Sequence, residues 1–553
     1  MDAFLLKQAA AELLGELRGA LVSKIHQPAE KEIVLTLWTG RDEKRLLLSA
    51  DPEICRIHLS SRKIPNPPSP PRFCQFLRRH LEGMRIEGLS VAPFDRLVRI
   101  DFLATRPDAV HEKTTMYAEL YGRHANLIYT DSDGTILEPL RNVGQEESRI
   151  REIAAGIPYR PLPRPERIFL PDFTMGDAER IAALTFESLP RLLQREISGL
   201  GQELAREAAE RGKSGPAELY AVIREFVRRY EAGDLSPGIG TLPSGKKRLL
   251  PFPCPAAGFS DFTPFPTANA AADAFYSEVT AARDEAILRQ QLRSRISSLL
   301  KKERHKLENV GGDEDRLAEG LKGGERGELL KIHLGDLRKG LSEFKGIPLD
   351  PAKTPVENMT RYFRLHKKAK GAVEIVRKRK REVAESVYYL ESLEGQLAEA
   401  QSRDDLIAVR QELSLAFASK KPQKGVKKKT TRPGAPKPPA PQVDGREFKG
   451  YAILVGKNNV GNDRIVKELA SPDDLWLHAQ GIPGSHVLIK VSPKEETPNE
   501  VIEEAARLAV FHSKAKGQSN VPVFLAEARH VSKFKGAKPG LVRIAKYSTI
   551  NVR

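Results

Sequence analysis

Cysteine is scarce: Cys55, Cys74 and Cys254 are the only three in 553 residues. They are too few and too scattered for a disulfide framework or a paired-cysteine zinc site, which points to a reducing compartment. No run of 18 apolar residues exists, so no membrane span is expected. The opening MDAFLLKQAAAELLGEL reads as an amphipathic helix rather than a basic segment followed by an apolar one, as a secretion signal requires. The expectation is a soluble, cytoplasmic chain with no membrane partner. There is also no HExxH and no GxSxG, and the 12 histidines lack metal-ligand spacing. Catalytic residues, metal and cofactor are therefore all expected to be absent. Gly240 to Lys247 comes near a phosphate-binding loop but puts Lys247 where the magnesium-binding hydroxyl belongs, so nucleotide hydrolysis is excluded there. Acidic residues are missing from Ser419 to Val443, where eight Lys or Arg and six Pro stand. Such a composition cannot bury a core and reads as a disordered basic linker, placed over 420–445.

What is present is charge in helical register. The 90 basic and 73 acidic residues leave a net charge of +17, which favours a polyanionic partner through counterion release. Between 270 and 419, Leu288, Leu292, Ile296 and Leu299, then Val383, Val387, Leu390, Leu393 and Leu397, recur at steps of three and four with charges between them. Gly311-Gly312, Gly320 and Gly323-Gly324 are expected to break the first arm, so that two arms fold back as an antiparallel coiled-coil hairpin with its tip near 320–357.

The flanks predict a multidomain α+β protein. An N-terminal α+β domain is expected over 1–173, starting with a helix capped by Asp2 whose apolar face runs through Leu6, Ala9, Leu13, Leu17 and Leu21. Helical periodicity over 174–240 contains Ile197-Ser198-Gly199-Leu200-Gly201-Gln202, which resembles a helix-hairpin-helix turn able to offer backbone N–H groups to a phosphate, or a simple glycine-capped turn. Strands over 241–269 are expected to pack on the N-terminal domain. The last domain, 446–553, is α+β, with Asn462-Asp463 capping a short helix and Thr497-Pro498-Asn499-Glu500 opening another as a capping box.

Polar clusters at turns suggest RNA rather than catalysis. In the last domain Trp476, His478 and His486 stand about a Gly/Pro turn, and Lys457, Asn458, Lys514 and Lys516 add donors, a set suited to base stacking and phosphate contact. Trp476 can equally be ordinary core. In the first domain Arg96 can fork onto a phosphate or base edge while Asp95 accepts from an amine, or the two can merely cap a strand.

The stretches DDLWLHAQGIPGSHVLIK, GKNNVGND, HSKAKGQSNVPV and GAKPG, with Phe94-Asp95-Arg96, Glu119 to Asn126, Gly156-Ile157-Pro158-Tyr159 and Leu349 to Pro355, resemble the NFACT family across essentially the whole chain. That family includes bacterial RqcH, eukaryotic NEMF and bacterial proteins once called fibronectin-binding. The resemblance implies a ribosome-associated quality control factor that binds a large ribosomal subunit obstructed by peptidyl-tRNA. It would recruit tRNA, alanine tRNA in bacteria, for template-independent C-terminal tailing that marks the stalled chain for degradation. Peptide bonds would be made by the ribosome, so the protein would position tRNA rather than act as an enzyme. Implied partners are tRNA, ribosomal RNA and a ribosomal protein at the hairpin tip. Implied tRNA-binding residues are Asp2, Asp95 and Arg96, with Arg123 and His124 beside them. Two rivals remain: a fibronectin-binding adhesin, which would need a surface route, and a DNA-repair-like module, for which the chain begins Met1-Asp2 instead of a proline followed by an acid.

Overall fold

The computed structural model describes the chain except residues 63, 65, 106–111, 149, 165, 185–186, 418–441, 492–495 and 553. The basic linker expected over 420–445 lies outside the described residues up to 441. The rest is a multidomain α+β protein in two compact units, Met1–Ala282 and Arg283–Arg553.

The first unit opens with α1 (Ala3–Leu17), whose N-cap Asp2 accepts from the Leu5 N–H at 2.9 Å. The helix does not reach Leu21. Gly19, at φ +80°, turns the chain into β1 (Leu21–Ala29), where Val22 and Ile25 are buried. There follow β2 (Glu32–Trp38), β3 (Glu43–Ser49), β4 (Arg56–Leu59), α2 (Arg72–Leu81), β5 (Arg85–Val91), β6 (Leu97–Leu103), β7 (Lys113–Glu119), β8 (Asn126–Asp131) and β9 (Ile136–Pro139). They form a nine-stranded antiparallel sheet in the order β4-β3-β2-β1-β5-β6-β7-β8-β9. Leu6, Leu13 and Leu17 of α1 and Phe73 and Leu77 of α2 share a core with the sheet residues Ile33, Leu35, Val98, Ile100 and Leu127.

A second core belongs to a helical layer. Between β10 (Ile168–Phe169) and β11 (Ile197–Ser198) stand α3 (Met175–Ala182) and α4 (Leu189–Glu196). They are followed by α5 (Gln202–Arg211), α6 (Pro216–Ala232) and the small sheet β12 (Gly238–Thr241), β13 (Lys247–Leu250) and β14 (Asp261–Pro264). Thr241 pairs with Lys247, so the glycine-rich Gly240–Lys247 stretch is a β-hairpin. Phe4 and Phe94 insert into this core beside Leu204, Phe226 and Phe252, tying the helical layer to the α1 end of the sheet domain.

Helix α7 (Ala268–Leu321) begins in the first unit, and its part in the second packs against α9 (Pro355–Glu399) through Leu292, Ile296 and Leu300 on Tyr389, Leu390, Leu393 and Leu397. Between them α8 (Gly323–Ile332) and the two-residue strands β15 (Glu343–Phe344) and β16 (Ile347–Pro348) form a tip with its own core of Leu330, Ile347, Leu349 and Tyr362. The glycines do not break the first arm as expected. Gly311, Gly312 and Gly320 lie within α7, while Gly323, Gly324 and Gly327 lie in α8. The tip glycines serve close packing: a Cβ on Gly323 would sit 2.7 Å from the Tyr362 carbonyl, and one on Gly327 2.9 Å from the Phe363 ring. The second arm also does not run on to Ser419, because Ser402, in a capping box with Asp405, starts α10 (Arg403–Ala416) as a separate helix.

The C-terminal domain places β17 (Val443–Phe448), β18 (Tyr451–Gly456), β19 (Leu475–Ala479), β20 (Val487–Ile489), β21 (Val521–Glu527) and β24 (Ser548–Val552) in one sheet, in the order β17-β18-β20-β19-β21-β24. The pair β22 (Val531–Ser532) and β23 (Arg543–Ile544) stands apart. The cap of α11 (Asn459–Arg464) is Asn458, which accepts from Gly461, rather than Asn462-Asp463. No side chain caps α12 (Asn499–Phe511), so the expected capping box does not form. Val501, Ala505 and Ala509 of α12 pack on this sheet.

Two glycines separate packing from propensity. Gly312 has no atom within 4 Å of its virtual Cβ, so Gly312→Ala should stabilise the helix by up to about 1 kcal/mol. Gly323→Ala should instead destabilise by about 1–3 kcal/mol, through overpacking against Tyr362. Chemical unfolding of the two variants, read at their midpoints, should show opposite signs.

Candidate nucleic-acid interface

Most of the residues singled out in the first domain converge. The β5–β6 turn, residues 92–96, closes through the Ala92 N–H donating to the Leu97 carbonyl and the Asp95 N–H to the Ala92 carbonyl, at 3.0 and 3.1 Å. Phe94 sits at φ +52°, where a bulky side chain is strained. Its ring stacks on Tyr230 with centroids 3.7 Å apart, and its N–H donates to the Tyr230 hydroxyl at 2.9 Å. With Phe94 buried, half-buried Asp95 and exposed Arg96 are presented at the surface. The Asp95 carboxylate accepts from the Arg96 N–H at 2.7 Å, and the Arg96 guanidinium lies 5.8 Å from the centre of the Tyr121 ring. Burial, reinforced by Asp95, which the Tyr121 side chain hydrogen-bonds, pushes the Tyr121 hydroxyl up and keeps it protonated.

These groups line a cleft of about 510 Å³ with Asp2, His124 and the turn Gly199-Leu200-Gly201. Burial pushes the Asp2 carboxyl up, opposed by the Leu5 N–H it accepts from, and pushes the Met1 amino group down. A Cβ on Gly199 would stand 2.9 Å from the Phe94 carbonyl, and one on Gly201 3.3 Å from the Asp2 Cβ. The glycine-rich turn and the Phe94-Asp95-Arg96 turn, read separately in the sequence, are thus one locked contact. Arg164 and Arg167 complete the rim; Arg164 lies 4.3 Å from the centre of the Phe169 ring, and Arg167 donates to the Gln194 carbonyl. Sequence reasoning missed both arginines, although the Pro158–Pro171 tract around them carried a visible run of basic residues. It also gave Tyr121 no role, although that residue stands within the family-like stretch Glu119 to Asn126. Arg123 is exposed beside the cleft, with its Nε 3.0 Å from His124 Nε2. Acceptors, fork-shaped donors and aromatic faces around one hollow suit a nucleotide read by its edge and its phosphate.

The C-terminal residues divide. Trp476 is 1% exposed, with its ring 5.0 Å from His486 and 5.7 Å from His478. All three are interior, so the expectation that they face RNA is corrected: a side chain enclosed by the sheet, β22 and β23 has no face to offer a base. His478 is held by Nδ1 3.1 Å from the Ser485 carbonyl and Nε2 3.0 Å from the Tyr388 hydroxyl, which also reaches the Ile482 carbonyl at 3.2 Å. Burial pushes both histidines down. Asn458 is likewise 3% exposed and spent on its cap. Lys457, Lys514 and Lys516 are exposed. They line a second hollow of about 360 Å³ with Glu391, Glu394 and Glu399 of α9. There Lys514 stands 3.6 Å from both Glu391 and Glu394, Lys457 2.8 Å from Asp444, and Lys516 3.9 Å from the Phe511 ring centre.

One buried acid ties this domain to the hairpin base. Glu412 of α10 accepts from Asn459 Nδ2 at 3.0 Å and from the Tyr389 hydroxyl at 3.2 Å, while Ser392 donates to Asn459 Oδ1 at 2.8 Å. Burial pushes its carboxyl up to about 7. Among the described residues no group of three or more His, Cys, Asp or Glu is placed to hold a metal, and no helix is long and apolar enough to cross a membrane.

Two outcomes follow from these burials. Trp476→Ala should cost about 3–5 kcal/mol and melt the C-terminal domain early, seen in thermal unfolding. Because folding holds the Glu412 proton, its contribution to stability is full below the ordinary glutamate range and is lost as pH rises to about 7. Glu412→Gln should remove that dependence. The melting temperature of E412Q relative to the parent should therefore climb from about pH 5 to about pH 8, reflecting on the order of 2 kcal/mol; a constant difference would rule the coupling out.

Comparison with known proteins places both halves. Residues 2–431 match the model for NFACT N-terminal and middle domains, and 445–546 that for the NFACT protein RNA binding domain. The chain is similar to a Bacillus subtilis protein named Rqc2 homolog RqcH, at 30% identity over 98% of this chain and 95% of that one. It resembles the Streptococcus suis protein of the same name at 31% identity, over 100% and 97%. Among solved structures, the N-terminal part of a fibronectin/fibrinogen-binding protein from Streptococcus suis aligns with 50% of this chain and 99% of its own, at 28% identity and a TM-score of 0.42. A family model covering most of the chain, joined by full-length relatives at this identity, establishes that the chain belongs to the NFACT family.

Proposed function

We propose that this protein acts in ribosome-associated quality control, binding large ribosomal subunits that still hold peptidyl-tRNA and delivering tRNA to them. The subunit would then extend the stalled chain without a template, and alanine tRNA is the expected cargo. In this reading the protein positions tRNA and the ribosome makes the peptide bond. The observation that carries it is the convergence of Asp2, Asp95 and Arg96 on one cleft, in a chain whose full-length relatives bear the name Rqc2 homolog RqcH. A net charge of +17 and a family RNA-binding domain favour a polyanionic partner.

Within the cleft Arg96 would fork onto a phosphate or a base edge, and Asp95, steadied by Tyr121, would accept from an exocyclic amine. Asp2 would stand as a second acceptor at the head of α1. On the C-terminal domain, exposed Lys457, Lys514 and Lys516 would meet RNA phosphates. The hairpin tip would reach a ribosomal protein or ribosomal RNA, and the basic 420–445 stretch would add affinity without specificity.

The test is the double variant D95A/R96A, which removes one charge of each sign and so leaves long-range attraction unchanged. Removing one bidentate interaction is worth about 1–3 kcal/mol, so bound tRNA should fall roughly ten- to hundred-fold. Large-subunit binding and melting temperature should stay at parental values. Pull-down from cells lacking the parent protein, scoring subunits, tRNA and tail length on a stalled reporter, decides it. Undiminished tRNA and full-length tails would refute the assignment.

A further inference from the structure

The outward face of α9 carries a feature that the cleft and the C-terminal domain do not use. From Arg361 to Arg381 the sequence has ten Lys or Arg and a single acid, Glu374. The ten are Arg361, Arg364, Lys367, Lys368, Lys370, Arg377, Lys378, Arg379, Lys380 and Arg381, all exposed, while Tyr362, Ala369 and Val383 on the opposite face are buried. Only Lys380, paired with Glu314, and Arg381, 3.4 Å from Glu374, have a carboxylate partner among the described residues. Arg377, Lys380 and Arg381 border an open hollow of about 610 Å³ beside those two acids. The stripe extends on the order of 30 Å along the helix.

Such a face is costly to keep bare. Arg364 and Lys368, and Arg377 and Arg381, stand four residues apart, and Arg361 and Arg364, Arg364 and Lys367, and Lys367 and Lys370 stand three apart; like charges at these spacings repel and weaken a helix. The stretch opposite this segment, by contrast, mixes signs: Asp313, Glu314, Asp315 and Glu319 stand with Arg316 and Lys322. A solvated arm needs only the mixed pattern. A one-signed stripe of arginines and lysines gains stability when a row of phosphates releases its counterions onto it.

We propose that the Arg361–Arg381 face of α9 is a docking rail for the phosphate backbone of folded RNA, separate from the Asp95/Arg96 cleft and independent of sequence. This rests on the RNA-binding reading above. Donors strung along several turns of one helix, with no aromatic platform among the exposed members, suit a double-stranded backbone better than splayed bases. Leu365 and Ile375, the exposed large apolar residues of the segment, are aliphatic and offer no stacking plane.

The experiment uses the full chain with Lys367, Lys368, Arg377, Lys378 and Arg379 all changed to Gln, a residue that keeps helix propensity, with circular dichroism to confirm helicity. The control carries Gln at Arg41, Arg79, Lys213, Arg228 and Lys246, exposed positions of the first unit, and removes the same charge. The probe is a fluorescent RNA stem-loop, titrated across a salt series. The stripe variant should bind at least ten-fold more weakly near 0.1 M salt, and its salt slope should fall by roughly 0.9 for each phosphate it no longer neutralises, so by two or more in all. The control should keep the parental slope. Equal reductions in both variants would reduce the effect to net charge and overturn the proposal, as would a stripe variant with parental affinity and slope. Vesicles of phosphatidylserine in phosphatidylcholine form a second arm. Abolished vesicle binding with RNA binding intact would assign the stripe to a lipid surface and likewise overturn it. A parent chain that binds the stem-loop but not large subunits would defeat the ribosomal reading and leave the rail standing.

Discussion

The first unit depends on a clamp between Phe94 and Tyr230. A phenylalanine at positive φ costs on the order of 1–3 kcal/mol, and the structure offsets it with a ring stacked 3.7 Å from Tyr230, an N–H bonded to the same tyrosine's hydroxyl, and burial in the helical-layer core. The clamp does two jobs. It fixes the β5–β6 turn so that consecutive Asp95 and Arg96 emerge together, and it brings Gly199, at φ +91°, against the Phe94 carbonyl. The glycine-rich turn and the acid–base pair are therefore held by one set of contacts, so the polar groups of the cleft are ordered before anything enters it.

The second unit organises its polar groups differently. Its C-terminal domain spends the residues that look most suited to RNA on its own interior: Trp476, His478 and His486 form a buried aromatic cluster, and Asn458 and Asn459 hold a cap and an interdomain bond. What it leaves outside are lysines, and those near α9 face Glu391 and Glu394. A phosphate approaching Lys514 has to displace weak ion pairs of a kind worth little in water, so the arrangement orients the lysine without withholding it.

Glycine also reads differently in the two settings. In α7 and α8 the glycines looked like breaks, since helix interiors disfavour them. Gly320, Gly323, Gly324 and Gly327 instead lie where α9 approaches too closely for any side chain. Propensity is a weak term, and a tip core of Leu330, Ile347, Leu349 and Tyr362 outweighs it.

By itself the sequence determined the kinds of element and their order: the Asp2-capped helix, most of the antiparallel strands, the two apolar seams of the hairpin and the family motifs of both ends. These rest on local periodicity and cap chemistry, which act within a few residues. Tertiary structure alone decided which polar residues are available. Trp476 and Arg96 both stand in motif-like company, yet one is walled in by β-structure and the other projects over Tyr121, because burial is set by what distant segments bring. It decided too that Gly199 and Phe94, more than a hundred residues apart, lock one cleft. No local pattern records a meeting of segments that is fixed only when both cores close.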